Sequence, residues 1–197
     1  MKARLLLASL LLLGAGPGYG RTRGDEIKQA QDTVNDLQER YGDQHPKLTE
    51  ARLRLAVWQR FEKEGRREPL LLQQAWVELD VLRLKYLEKH PDFIAQKARV
   101  AAMEAQLASA PNSPDALLEA VGDLGALGTH LGENHPKYQD QARKVAAFRK
   151  FLLAPGKESP ELRMARAMQE YYSGKYDVNH PKMQEIAAQI AALEKQQ

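Results

Sequence analysis

The dipeptide His-Pro occurs four times, at His45-Pro46, His90-Pro91, His135-Pro136 and His180-Pro181, and the interval is 45 residues each time. A fixed interval of that size marks a chain built from stacked copies of one small unit. Other columns hold the same register. Four residues before each His stand Tyr41, Tyr86, Leu131 and Tyr176; eight before stand Leu37, Leu82, Leu127 and Tyr172; fifteen before stand Ala30, Ala75, Ala120 and Ala165. Three after come Leu48, Phe93, Tyr138 and Met183, ten after Leu55, Val100, Val145 and Ile190, and thirteen after Trp58, Met103, Phe148 and Leu193. Eleven after is always Ala: Ala56, Ala101, Ala146 and Ala191.

Upstream of His the apolar columns are spaced by threes and fours, and so lie on one face of a helix; the downstream columns do the same. Each unit therefore reads as helix A, a break, then helix B. Proline lacks an N–H and clashes with the preceding turn, so it cannot sit inside helix A. It suits the first position of helix B, with His at or near the N-cap. Start signals for helix A are Asp25, Glu68-Pro69, Ser113-Pro114 and Ser159-Pro160, Ser being a strong N-cap. The linkers 63–68, 108–113 and 153–159 carry Gly65, Pro111, Pro155 and Gly156, which mark turns. No segment alternates with period two, so no strand is predicted.

The expected fold is all-α: four tandem helical hairpins of about 45 residues, units 24–68, 69–113, 114–159 and 160–197, in one repeat domain spanning 21–197. A short solenoid and a compact bundle both satisfy the periodicity. The third helix A is the weakest by propensity, because Gly122, Gly125 and Gly128 each lose about 0.5–1 kcal/mol against Ala. Close approach of a neighbouring helix would explain them; so would plain tolerance.

The first twenty residues stand apart. Lys2 and Arg4 open them, Leu5 to Leu13 is apolar apart from Ser9, and Gly14 to Gly20 is rich in small residues. That is the layout of a secretory signal peptide cut after Gly20, and the run is well short of the roughly 20 apolar residues of a membrane span. Retention as an uncleaved anchor is the alternative. The expected location is outside the cytoplasm, periplasmic or extracellular. Removing residues 1–20 leaves 27 basic against 26 acidic residues, so the pI near 9.0 is no nucleic-acid footprint, which needs a clustered basic face. With no Cys there is no disulfide framework and no thiolate chemistry. No membrane span is expected in the mature chain.

The second unit, with Leu82, Tyr86, His90-Pro91, Phe93, Ile94, Val100 and Leu107, resembles the helical motif of bacterial polysaccharide chain-length determinant and co-polymerase proteins. The likeness covers about 26 residues of each unit. It implies a helical, non-catalytic element in a cell-envelope setting, associated with surface polysaccharide assembly or export. The chain departs from that family in lacking two flanking membrane helices and in repeating the motif. The run Leu131-Gly132-Glu133-Asn134-His135-Pro136 resembles the tetratricopeptide repeats of kinesin light chain, which implies a protein-binding solenoid.

Four repeated His residues invite a metal reading. A metal site needs ligands converging within about 2–2.2 Å of one ion, whereas one His per stacked unit places them about 10 Å apart. The alternative is a turn and N-cap role for each His-Pro. Tyr41, Tyr86 and Tyr176 form a column suited either to stacking a ligand or to packing at the hairpin end. Trp58, Phe61 and Phe148 read as core, and His130 as exposed and off the repeat. Lys47, Lys137 and Lys182 follow the His-Pro, with Asp92 breaking the row, and read as a solvated face or an edge for an anionic polymer. No nucleophile paired with a base and no Gly-rich phosphate cradle is found. The expectation is a non-enzymatic exported protein without cofactor or metal: an envelope scaffold or protein–protein interaction module. The second expectation is a binding component for polysaccharide. Exposed Tyr hydroxyls along a groove would favour the sugar, and an exposed apolar patch the protein partner.

Overall fold

The computed structural model describes residues 20–43 and 45–196; of the leader 1–20, only Gly20 falls within them. Eight helices and no strand occur among the described residues: α1 (Arg23–Arg40), α2 (Pro46–Lys63), α3 (Leu70–Lys85), α4 (Pro91–Ser109), α5 (Asp115–Leu127), α6 (Pro136–Leu152), α7 (Pro160–Ser173) and α8 (Pro181–Glu194). They are the four A–B pairs that the columns predict. Pro is the first residue of α2, α4, α6 and α8, as its fixed φ and missing donor require. No helix among the described residues is long and apolar enough to cross a membrane. The chain divides into two compact units, at Leu71–Leu72.

In the first unit, α1 and α2 close on Val34, Leu48, Ala51 and Leu55, with Ile27, Ala30 and Leu37 packed against them. The start of α1 corrects the expectation. Thr22 is the N-cap, accepting from the Asp25 backbone N–H, and Asp25 reaches back to the Thr22 N–H at 2.7 Å in a capping box. Past the C-cap Glu64 of α2 the chain turns at Gly65, whose φ of +62° only glycine adopts freely. The Arg66 N–H then reaches the Phe61 carbonyl at 3.1 Å, and the Gly65 N–H reaches that of Glu62 at 3.0 Å. Arg23 donates to the Phe61 and Arg66 carbonyls, tying the start of α1 to the end of α2.

In the second unit, α4, α5, α6 and α7 each pack on the next helix in sequence. One core cluster joins Leu117, Ala120 and Val121 of α5 to Val145, Phe148 and Leu152 of α6 and Ala167 of α7. Another joins Leu162 and Ala165 of α7 to Ile186 and Ile190 of α8. The column ten after His is buried in all four repeats, as are Trp58, Phe61 and Phe148. The Ala column eleven after His is exposed throughout, so its recurrence reflects helix-forming preference on an outer face rather than core packing.

Short connections between helices that pack on one another make successive helices antiparallel. The turns before His90, His135 and His180 therefore share one edge of this unit, and the linkers 110–114 and 153–159 share the opposite edge. Two polar side chains recur in register across the hairpins. Gln96 donates to the Ala75 carbonyl and Gln141 to that of Ala120, each at 2.8 Å, and both Gln stand six residues after their His.

The glycines of α5 divide. A Cβ on Gly125 would meet the Ala102 Cβ at 2.7 Å and the Ala98 carbonyl oxygen at 2.8 Å; on Gly122 it would meet the Arg99 Cγ at 2.9 Å. Both sit where α4 approaches closely. Gly128 has no contact under 3.5 Å and ends the helix as its C-cap. Ser113 is also not the cap expected of it. Pro114 takes that position without a side-chain bond, while Ser113 is buried, donates to the Ala110 carbonyl and accepts from the Gln106 amide at 3.0 Å. The Gln106 carbonyl oxygen accepts in turn from Arg149 of α6, at 3.0 and 3.1 Å. Ser159 does cap α7, accepting from the Leu162 N–H at 3.2 Å.

Candidate functional site

Each repeated His is the N-cap of its helix B. The Nδ1 atoms of His45, His90, His135 and His180 accept the backbone N–H two residues on, at 3.2–3.3 Å. This satisfies one of the donors that a helix start leaves open, and it leaves the Nε2–H of each ring pointing away from the cap. Among the described residues no group of three His, Cys, Asp or Glu converges to hold a metal ion.

Three of these rings are stacked. Tyr41 lies on His45 with centroids 4.3 Å apart, Tyr86 on His90 at 3.7 Å and Tyr176 on His180 at 4.0 Å, with interplanar angles of 20° or less. The Tyr four residues before the His stands at or just past the end of helix A, where the chain turns back, which brings the two planes together. Leu131 takes the place of the Tyr in the third repeat, so His135 has no such partner among the ring contacts. The Tyr column is thus neither core nor a free ladder: one face of each ring is covered by imidazole, and Tyr41 and Tyr86 remain exposed.

Large aliphatic side chains stand beside these stacks. Leu87, next to Tyr86, is 85 % exposed, and Val178, two residues after Tyr176, is 76 % exposed; Leu84 and Ile94 are exposed at the same hairpin end as Leu87. Along α7, Tyr176 and Val178 open into a groove of about 710 Å³, with Phe151, Met183 and Ile190 as its apolar lining and Arg166, Glu170 and Glu194 among its charged residues. A second open groove of about 610 Å³ runs along α1, but Asp25, Lys28, Gln29, Asp32, Thr33 and Asp36 make it a solvated polar surface. Of the basic row, Lys47 and Lys137 are exposed, while Lys182 sits over the Tyr172 ring at 4.3 Å, and its bond with Tyr172 raises its pKa. His130 is exposed, as expected.

One charged cluster was not foreseen. Tyr171 and Lys175 of α7 and its C-terminal turn both donate to the Asp140 Oδ2 of α6, at 2.9 and 2.7 Å, and the Lys175 ammonium lies 4.3 Å from the Tyr171 ring centre. Burial alone would raise the Asp140 carboxyl, but the hydrogen bonds from Lys175 and Tyr171 outweigh it and hold the carboxyl below its ordinary value. Burial likewise works against the Lys175 ammonium, and its bonds to Asp140 and Tyr171 prevail and raise it. Burial and Asp140 raise the Tyr171 phenol. All three shifts deepen the charge states these groups hold at neutral pH. These hydrogen bonds clamp α6 to the end of α7. Tyr171 lies one position off the apolar column, and no periodicity pointed to it.

No protein-family model, curated protein or solved structure matches the chain.

Proposed function

We propose that this protein is a non-enzymatic, exported helical-repeat scaffold that docks a protein partner along its hairpin-end edge, with the groove beside α7 taking an apolar segment of that partner. The carrying observation is the pair Leu87 and Val178, 85 % and 76 % exposed, each beside a Tyr–His stack. The fold spends apolar side chains there that its own core does not use, and a cluster of exposed apolar and aromatic groups is what a protein surface desolvates on binding. Their aliphatic character suits an apolar side chain better than a hydroxyl-rich sugar. Export rests on the basic and apolar layout of residues 1–20.

A second reading keeps the polysaccharide. It draws on the three Tyr–His stacks, whose uncovered faces, outward Nε2–H groups and hydroxyls suit a sugar ring and its oxygens.

A photo-crosslinking residue placed at 87 or 178 in the full chain, expressed in its own cells, separates the readings. Position 157 on the opposite linker edge is the control. A discrete protein adduct at 87 and 178 but not at 157 supports the docking edge. Carbohydrate adducts alone favour the second reading. Adducts equal at all three positions, or uncleaved chain confined to the cytoplasm, would falsify the proposal.

A further inference from the structure

We infer that the His-Pro caps form a graded acid switch: as pH falls from neutrality to about 5, the start of α6 loosens most, those of α2 and α8 less, and Asp92 holds the start of α4 closed.

A cap of this kind exists in one protonation state only. Each cap Nδ1 accepts the N–H two residues on, at 3.2–3.3 Å, so it presents a lone pair and the single ring proton sits on Nε2. Imidazole takes a second proton between about pH 8 and 5. On Nδ1 that proton would face the backbone N–H, donor against donor. It would also set a positive charge on the positive end of the helix dipole. The closed start has no place for it, whereas an open start does. Protons therefore bind the open start, and stability falls as pH falls. Asn or Ser would cap these helices without titrating; His makes the cap answer to pH.

The residue after each Pro sets the nearest charge. Lys47, Lys137 and Lys182 add a second positive charge to their helix starts, and Lys182 lies over the Tyr172 ring at 4.3 Å. In α4 the same position is Asp92, whose Oδ2 lies 3.8 Å from the His90 Nδ1. Carboxylates keep their charge at pH 5. Asp92 can therefore accept the new Nδ1–H and offset its charge at the helix start.

Ring cover grades the other three. Tyr41 and Tyr176 lie on His45 and His180, as Tyr86 does on His90, and an aromatic face favours a cation. His135 has Leu131 in that column, so it is both uncovered and followed by a Lys. Other charges near the caps are already engaged. Asp43 pairs with Arg52 at 2.7 Å, Arg83 with Asp80 at 3.5 Å, and Asp177 accepts the Asn179 N–H at 2.8 Å. Asp140 of α6 is held by Lys175 and Arg143. Among the described residues, Glu88, Lys89, His130 and Glu133 of the turns form no pair with a cap ring.

Through the turn that carries Val178, acid also loosens the edge proposed for docking. That consequence rests on the docking reading; the switch and its test do not.

The test replaces each cap in turn: H45N, H90N, H135N and H180N. Asn caps about as well and takes no proton. Urea unfolding of the full chain at pH 7.5 and 5.0, read by helical circular dichroism, compares wild type with each variant, so that titrations elsewhere cancel. Against H135N the wild type should lose about fivefold in its folding constant between the two pH values, the size of one lost cap. Against H45N and H180N the loss should be about threefold, and against H90N under about twofold. Exchanging the charges moves the response. In a K137D background the loss at His135 should fall under about twofold, and in a D92K background that at His90 should rise to about threefold. The imidazole nitrogen signals of the wild type, read by NMR at pH 7.5, should show the Nε2–H tautomer at all four caps without any substitution. A flat or reversed ratio at His135, equal losses at all four histidines, charge exchanges without effect, or Nδ1–H tautomers at the caps would each overturn the inference.

Discussion

The contact of α4 with α5 and that of α6 with α7 are the same junction in consecutive repeats, yet they are made by different chemistry. The first is closed by proximity: Gly125 leaves no room between its backbone and Ala98 and Ala102, and Arg99 pairs with Asp123 at the side. The second adds charge to its apolar contact: Asp140 holds Tyr171 and Lys175, Lys150 holds Glu170, and Ala167 enters the core beside them with Met164 and Met168 packed against it. A repeat scaffold thus conserves the geometry of its junctions while leaving open which force fills them. The first junction should be sensitive to volume, and the second to pH and salt.

The largest effect is expected at the first junction. Gly125→Val should destabilise the chain by more than about 3 kcal/mol in urea unfolding, because a backbone carbonyl stands in the way and cannot swing aside. Gly122→Ala is the contrasting case. Its nearest neighbours are the flexible Arg99 and Met103 side chains, so the gain in helix propensity should nearly offset the crowding, leaving a change within about 0.5 kcal/mol. Equal losses at both positions would remove the distinction between a backbone wall and a side-chain wall.

Ser113→Ala comes next, at about 1–3 kcal/mol, since it leaves the buried Gln106 amide without its acceptor. Ser159→Ala, which removes only a helix cap, should lose about 1 kcal/mol. A cap-sized loss at Ser113 would show that the Gln106–Arg149 network matters little.

At the second junction Tyr171→Phe should lose about 0.5–1.5 kcal/mol at neutral pH. Its pH dependence belongs to Asp140, whose folded pKa lies below the ordinary value. The stabilisation is therefore complete above the unfolded value near 4 and disappears as pH falls through the lower folded value. The stability difference between wild type and Asp140→Asn should shrink steadily below about pH 4, and a flat difference from pH 7 to 2 would refute the clamp. The smallest effect is at Lys150–Glu170. A double-mutant cycle there should give under about 0.5 kcal/mol and vanish in 1 M salt, because both side chains are about half exposed.

The hairpin pattern was readable before any coordinates because a helix buries a stripe, and a stripe repeats with the helix period. Leu55, Val100, Val145 and Ile190 share a column and are all buried. The His-Pro cap was readable because proline admits few backbone positions. Its Tyr partners were visible as a column, but their orientation was not. Whether a ring four residues before a turn enters the core or folds onto the imidazole depends on how the chain reverses, which no periodicity encodes. Ser113 shows the same limit. A Ser before a Pro looks like a cap, and only the approach of Gln106 turned it inward.

By itself the sequence determined the repeat, its length, the alternation of two helices and the cap that starts each second helix. These follow from local rules: the 3.6-residue period, the missing proline donor and the short turn. The tertiary structure alone decided which columns meet across repeats. It separated Gly125 from Gly128 and gathered Asp140, Tyr171 and Lys175 onto one clamp between α6 and the end of α7. The reason is physical: one helix face looks the same in sequence whether or not another helix lies against it, and only packing in three dimensions assigns the neighbour.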